Sequence, residues 1–333
     1  MSESLLSVVI SDIVSALTTQ FGEYASALTD NPIISVMGLV KDFEDTRALN
    51  NFTIEIGSGI FGLIGPNGAG KTTFLRILLG LIQPDSGTAK VFGLRIDKDS
   101  LQIRERLGIL HERPIYPKGM TPLSFLNRVR DIYGKGVEPR SLLKLVGLAT
   151  ASKRKIGSLS AGMTQRLGIA QALISEPELV FLDEPTSNLD VAGREEITQL
   201  IVNLHNELGT SFIIASHVLS ELERICNSVA FIRNGTIIEQ GKTLDLIDKF
   251  TKNRFKVITN EPRQLALILE KLSIVESVRV VGINSVAFST KVSQVILEDK
   301  IKDAILQSNI QIHSILKSNS LEDTYKEVMT DDY

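Results

Sequence analysis

Apolar positions along this chain follow two alternating rhythms. Short, nearly continuous apolar runs at residues 59–64, 179–182, 211–215 and 228–232 have the length of strands buried on both faces. Between them apolar residues recur at three- and four-residue steps, as in residues 74–81 after the first run and the stretch that ends at Ile174 before the second. Strands that alternate with helices in this way predict a mostly parallel sheet, with ligands bound beyond the carboxyl ends of its strands. Ahead of the first buried run, residues 33–40 and 48–56 read as a strand pair in hairpin fashion, with Phe43 between them. Residues 101–107 lead into a strand at 108–110, and 113–121 is a loop marked by Pro114, Pro117 and Gly119. From 121 to 148 the rhythm is helical, and a strand at 236–239 follows an Asn234-Gly235 turn.

The ends of the chain differ from this middle. Residues 4–28 place Leu6, Ile10, Ile13, Leu17, Phe21, Tyr24 and Leu28 on one helical face, with Ser, Thr and Glu opposite. Without the lysines and arginines usual on membrane-surface helices, that face points to docking on protein over docking on lipid. Beyond Gly241-Lys242 the order becomes strand 254–259, helix 262–272, a strand pair within 278–289, helix 297–307 and strand 311–316. This βαββαβ order predicts a small α+β module, free to dimerise, sense a regulator or cap a sheet. The division expected is an N-terminal helical extension at 1–30, a main domain at 31–245 with a helical subdomain at about 121–165, and an accessory domain at 250–333.

With 333 residues and 43% hydrophobic content the chain is long enough for two globular cores. No stretch approaches the roughly 18–20 apolar residues of a spanning helix, so any pore must belong to another chain. The absence of Lys or Arg before Lys41 does not fit a signal peptide. The single cysteine, Cys226, rules out an internal disulfide and points to a cytosolic face. A net charge of −3 and a pI near 5.9 speak against a nucleic-acid partner. Arg104, Arg106 and Arg113 lie close in sequence, either beside a site loop or as solvated charges.

The candidate chemistry begins right after the first buried run. Residues 65–72 read Gly65-Pro66-Asn67-Gly68-Ala69-Gly70-Lys71-Thr72, a G-x-x-x-x-G-K-[ST] loop between a strand and a helix. Its glycines let successive N–H groups curl around an anion, and the helix directs its positive dipole end at it. Lys71 neutralises β- and γ-phosphate oxygens, and Thr72 offers Mg²⁺ a hydroxyl. A second block runs Leu159-Ser160-Ala161-Gly162-Met163, then Gln165-Arg166-Leu167. The strand 179–182 follows, and Asp183-Glu184-Pro185-Thr186-Ser187-Asn188-Leu189-Asp190 closes the block.

With these two blocks the chain resembles the nucleotide-binding subunits of ATP-binding-cassette (ABC) proteins, from about residue 34 to 242. The shared features in order are Phe43, the phosphate loop, a loop at 110–112, the signature 159–163, the acidic strand end, the segment 188–190 and His217. The resemblance implies a P-loop NTPase of ABC type, an α/β fold with a mostly parallel sheet, an antiparallel β subdomain and a helical subdomain. It also implies a role for each residue. Phe43 stacks on adenine, Thr73 touches phosphate, Asp183 holds Mg²⁺ with Thr72, Glu184 is the general base for water, and His217 bonds the γ-phosphate. Ser160 and Gly162 face the γ-phosphate bound by an opposing subunit, with Asp190 at that interface, so one cassette must pair with itself or a close relative. Two positions depart from the family pattern. The signature carries Ala161 and Met163 for the usual Gly and Gln, a variant of exporter-type members. Leu110-His111-Glu112 stands for Leu-Pro-Gln; Glu112 either offers Mg²⁺ a carboxylate oxygen or, by its added charge near the phosphates, raises the barrier to hydrolysis until a partner rearranges the loop. The stretch Ser320-Leu321-Glu322-Asp323-Thr324-Tyr325 resembles the close of many drug- and polysaccharide-exporter ATPases.

The expected function is an ATP-hydrolysing subunit that powers transport, of exporter type, through a separate multispanning permease at the cytoplasmic face of the membrane. The rival class is a soluble ABC ATPase of nucleic-acid repair, translation or cofactor assembly. Against it stand the lack of a long coiled coil between loop and signature, and a single cassette where translation factors usually have two.

Overall fold

The computed structural model describes residues 32–251, 253–291, 294–305 and 310–330, so the amphipathic segment expected at 4–28 lies outside the described residues. The chain divides into two compact units, one ending at Lys242 and the other beginning at Thr243.

The first unit opens with β1 (Ile34–Phe43), β2 (Thr46–Ile56), β3 (Ile60–Ile64), α1 (Lys71–Leu78), β4 (Ser86–Val91), β5 (Leu94–Arg95), α2 (Ser100–Glu105) and β6 (Leu107–Leu110). It continues with α3 (Pro122–Tyr133), α4 (Pro139–Leu145), α5 (Ala161–Leu173), β7 (Leu179–Asp183), α6 (Val191–Leu208), β8 (Ser211–Ser216), α7 (Leu219–Ile225), β9 (Ser228–Arg233) and β10 (Thr236–Lys242). One sheet is antiparallel, in the order β2-β1-β4-β5. The other runs β10-β9-β3-β8-β7-β6, parallel except for β10.

The five apolar residues of β3 are all buried, which is what a strand in the middle of a covered parallel sheet requires. One core joins the two sheets: Phe52 of β2 meets Phe74 of α1 at 4.8 Å between ring centroids, among Ile34, Leu49, Leu63 and Ile213. The β4–β5 pair has no counterpart in the hydrophobic pattern. Only Ala89 and Val91 of β4 point inward, and its pairing with β1 (Ile34↔Val91, Val36↔Ala89) supplies the order that its own sequence lacks. Likewise β1 runs past Val40 to Phe43, because the ladder to β2 continues through Asp42↔Arg47 and Phe43↔Thr46. An Arg47–Asp42 ion pair at 2.8 Å ties that end.

The helical segment follows its cap chemistry. Thr121 accepts from Ser124 N at 3.2 Å with Pro122 at the first position of α3, and Glu138 accepts from Ser141 N at 2.9 Å ahead of Pro139 in α4. The return helix α5 lies directly on β6. A Cβ on Gly108 would come within 2.1 Å of Ala172 O, so only a hydrogen fits between strand and helix backbone. Gly108→Ala is therefore expected to lower stability by about 1–3 kcal/mol, the usual cost of overpacking. A urea midpoint equal to the wild type would show that β6 and α5 do not press together.

The second unit comprises α8 (Thr243–Thr251), β11 (Arg254–Thr259), α9 (Pro262–Leu269), β12 (Val275–Val280), β13 (Ser285–Thr290), α10 (Gln294–Ile305), β14 (Ile312–Lys317) and α11 (Leu321–Thr330). Its sheet is antiparallel in the order β12-β13-β11-β14. Phe255 and Phe288 stack at 6.0 Å in a core with Val257, Leu265, Val286, Leu297 and Ile301. The break expected at 245–250 falls inside α8, whose buried Thr243, Leu246, Ile247 and Thr251 share one helical face.

Candidate functional site

Parallel pairing delivers the predicted residues to one edge of the large sheet. Ile64 of β3 lies opposite Ser216 of β8, Asp183 of β7 opposite Ala215, and Leu110 of β6 opposite Leu182. The phosphate loop 65–70, Ser216-His217, Asp183-Glu184 and His111-Glu112 therefore all leave the sheet on the same side, as the strand order demands.

The loop is held from outside as well as by its own sequence. Gly70 caps α1 with φ +110°, and a Cβ there would approach Ala48 O to 2.6 Å. Gly235 N donates to Ala69 O at 2.9 Å, so the β9–β10 turn clamps the loop. The Asn234-Gly235 pair predicts a hairpin turn, and nothing in its spacing marks this second role. Pro66, Asn67, Gly68 and Thr72 are exposed, Thr73 is half-buried, and Gly65, Ala69 and Gly70 are buried. Lys71 is buried and donates to Gly65 O at 2.5 Å and Pro66 O at 3.2 Å. Burial holds its ammonium below the ordinary lysine value, against the opposing pull of Glu184 and Asp183.

Glu184 is 8% exposed and sits at φ +49°, a left-handed backbone rare for a long side chain and of the kind concentrated at functional sites. Glu184 N donates to Ala215 O at 2.8 Å, which fixes this turn against β8. His217 Nδ1 lies 2.9 Å from Glu184 Oε1, and Ser216 Oγ donates to Oε2 at 3.4 Å. Ser216 also accepts from Val218 N at 3.1 Å. It is a site residue that the sequence reading missed, because a serine before a histidine carries no motif. With Nδ1 on the carboxylate, the mostly exposed ring has Nε2 left for an outside partner.

Asp183 is raised above the usual carboxylate range, first by burial and then by the like charges of Glu184 and Glu112, with Lys71 and His111 pulling the other way. That balance brings Glu112 into the same electrostatic cluster. Its carboxylate is half-exposed and 3.3 Å from Arg113 Nε. Of the three arginines left open above, Arg113 thus belongs to the site edge. Arg104 donates to Leu79 O at 3.1 Å, and Arg106 makes a two-pronged pair with Glu178 at 2.5 and 2.8 Å, so both are structural. The oxygen donors of Thr72, Asp183 and Glu112 fit a hard divalent cation such as Mg²⁺.

The remaining predicted residues stand apart from this cluster in their contacts. Ser160 caps α5 by accepting from Met163 N at 3.2 Å, and Asp190 caps α6 by accepting from Gly193 N at 2.8 Å. The nearest atom to a Cβ built on Gly162 is Leu189 Cδ2 at 4.0 Å, so the signature and the 188–190 segment are neighbours. Both helix starts are exposed. Phe43 is 42% exposed at the tip of β1, with Lys41 Nζ 5.4 Å from its ring centre.

The arrangement has counterparts among known proteins. Residues 49–187 match the family model described as ABC transporter. An uncharacterized ABC transporter ATP-binding protein, YcbN of Bacillus subtilis (strain 168), is 30% identical over 300 residues, covering 88% of this chain and 95% of that protein. The bacitracin transport ATP-binding protein BcrA of Bacillus licheniformis is 39% identical over 62% of this chain and 69% of its own length. Among solved structures, cbiO1 of Clostridium perfringens, part of the ABC transporter complex cbiONQ, superposes with a TM-score of 0.60 at 28% identity over 66% of this chain and 92% of that one. A Gly-rich loop and an acidic strand end on one sheet edge, a capped signature helix apart from them, and a match over 88% of this chain and 95% of the YcbN relative make this chain a member of the ABC transporter ATP-binding protein family, an ATPase that binds ATP.

Proposed function

We propose that this chain hydrolyses ATP at the cluster of Lys71, Asp183, Glu184 and His217 to drive a separate multispanning permease, in the manner of an exporter. The observation that carries the reading is the Glu184 carboxylate, buried yet held at the sheet edge by His217 and Ser216, beside the lysine of the phosphate loop. Attack on a γ-phosphoryl group needs an oriented water and relief of charge on the departing phosphates. Glu184 takes the proton of that water. Lys71 and N–H groups of the loop after Pro66 bind and orient the β- and γ-phosphates, and Phe43 stacks on the base. His217 positions the carboxylate through Nδ1 and meets a phosphoryl oxygen through Nε2, as a donor once the ring carries its second proton. Thr72, Asp183 and Glu112 would hold Mg²⁺, which when bound neutralises phosphate oxygens.

Ser160 and Gly162, at an exposed helix start, complete the site of a second copy or close relative, with Asp190 at the junction. ATP favours that closed pair, hydrolysis reopens it, and the difference in affinity shifts the permease. The BcrA relative, named for bacitracin transport, supports a transported cargo. No helix among the described residues is long and apolar enough to cross a membrane, which fits a peripheral subunit on the cytoplasmic face. Purification from its own membranes in mild detergent tests the reading. A co-eluting multispanning protein is the expected result, and reproducible recovery of only soluble partners or nucleic acid would overturn it.

Glu112 gives this site an extra negative charge. Glu112→Gln is expected to alter basal turnover and to lower the acid limb of the pH–rate profile. The sign follows from Asp183: its carboxyl is raised partly by Glu112, Mg²⁺ needs it ionised, and removing a like charge lets it ionise at lower pH. Rates and an acid limb equal to the wild type, with and without the partner, would remove Glu112 from the site.

A further inference from the structure

The segment from Glu184 to Asp190 joins two parts of the proposed reaction. It begins at the carboxylate that takes the proton of water and ends at the residue set at the junction with a second copy. The left-handed turn at Glu184, φ +49°, is a backbone that persists only where its surroundings over-determine it. Within the segment the ties are short turns: Ser187 N donates to Glu184 O at 3.1 Å and Leu189 N to Thr186 O at 3.3 Å. The side-chain ties converge on one residue of α7, the helix that follows His217. Thr186, 3% exposed, donates through Oγ1 to Glu221 Oε2 at 2.6 Å, a short, charge-assisted bond. Glu221 Oε1 lies 3.9 Å from Arg194 Nη1, and Arg194 Nε donates to Leu189 O at 3.1 Å. The side chain of Glu221 is 15% exposed, so water competes poorly for its oxygens.

We infer that Glu221 is a positioning residue for hydrolysis, which holds the base turn at Glu184 and the junction segment 188–190 to the His217 helix as one piece. The inference rests on the reading of Glu184 as the base. The start of the turn is already pinned to β8 through Glu184 N and Ala215 O. Glu221 pins the same turn two residues later and, through Arg194, its far end. One tie leaves a pivot that would swing the Glu184 carboxylate; three ties remove it. In-line attack tolerates little swing, since a misplacement of about 1 Å can cost about 10²-fold in rate. A role in stability alone is the poorer fit. Arg224 and Glu195 already join α7 to α6 by a two-pronged pair, with neither side chain bonded to 184–190. A carboxylate drawn out of water onto one hydroxyl and a guanidinium 3.9 Å away is a weak source of stability.

The test is steady-state ATP turnover of the full chain, beside a nucleotide titration and a melting curve. Thr186→Val keeps the volume and loses the hydroxyl, Thr186→Ser keeps the hydroxyl, and Glu221→Gln keeps the shape and loses the charge. Thr186→Val and Glu221→Gln are each expected to lower kcat by roughly 10- to 10²-fold while KM for ATP stays within about twofold, the mark of lost orientation at the reacting atoms. Thr186→Ser should restore the wild-type rate. The double variant Thr186→Val, Glu221→Gln should be no slower than the slower single one, as for two ends of one contact. Glu195→Gln, which breaks the other α6–α7 pair, should turn over as the wild type does. In a Glu184→Gln background, Glu221→Gln should cost nothing further, because the group it positions is gone. Wild-type kcat in Thr186→Val or Glu221→Gln, an equal loss in Glu195→Gln, or no rescue by Thr186→Ser would overturn the proposal. So would rates that fall only in step with melting temperature or with ATP affinity. Because the two Thr186 variants read the contact from its other end, a Glu221→Gln chain that failed to fold would not shield the proposal. Wild-type turnover in Glu184→Gln would instead remove the base on which it rests, so the two failures are told apart.

Discussion

Glu184→Gln is expected to reduce ATP turnover by about 10² to 10⁴, the usual share of a general base, while nucleotide binding persists. The amide keeps the volume of the side chain and can still accept from Ser216 Oγ, so the turn at φ +49° against β8 has no reason to move. What it loses is basicity at a buried carboxylate close to Lys71. The electrostatic consequences run in one direction. Asp183 loses a like charge that raises it and stays ionised to lower pH, so the metal site should survive. With hydrolysis blocked and binding intact, the variant should also accumulate as an ATP-held pair on size exclusion. The decisive measurement is single-turnover hydrolysis beside a nucleotide titration. Wild-type turnover would remove Glu184 from the role of base, and loss of binding would mean that it holds the loop in place.

Lys71→Ala should fail at the earlier step. Removing one side of a buried, charge-assisted contact costs about 2–5 kcal/mol, or roughly 30-fold to several-thousand-fold in affinity. Lys71 is 9% exposed, and its ammonium reaches two loop carbonyls. Stability should not follow affinity. Burial lowers this lysine from its ordinary 10.5, so keeping it charged opposes folding throughout neutral pH, and the opposition lifts only as pH rises through its folded value. The alanine variant sheds that cost along with the attraction to Asp183 and Glu184. Its melting temperature without nucleotide is therefore expected to hold, while the rise that ATP gives the wild type disappears. A melting temperature that collapses without nucleotide would show that Lys71 is chiefly a structural clamp.

The parts of this architecture that were legible in sequence are those whose cause is local. The buried strands β3, β7, β8 and β9 announce themselves because a strand covered on both faces has to be apolar throughout. The phosphate loop is legible because its backbone demands small residues in a fixed spacing. What stayed hidden depends on partners distant in the chain. Strand β4, mostly polar, is ordered by the ladder to β1, and the last residues of β1 by their pairing with β2. At the site, Gly235 and Ser216 act by contact, one against Ala69 and the other against Glu184. The end of the first unit was blurred for a related reason, since α8 carries an amphipathic pattern as good as any before it.

The strand order also dictates when this protein can become itself during synthesis. Strand β3 leaves the ribosome early, but its two neighbours are β8 and β9, and the tie from Gly59 N to Ser211 Oγ spans 152 residues. At about 5–20 residues per second, the nascent apolar strand waits roughly 8–30 s for the segments that cover it. Throughout that interval it is a surface for chaperones to guard, and no truncated product that stops short of β9 can assemble the phosphate clamp. The turn that supplies Gly235 N to Ala69 O is made last in this unit, so the contact that holds the loop from outside forms only in a chain translated through β9–β10.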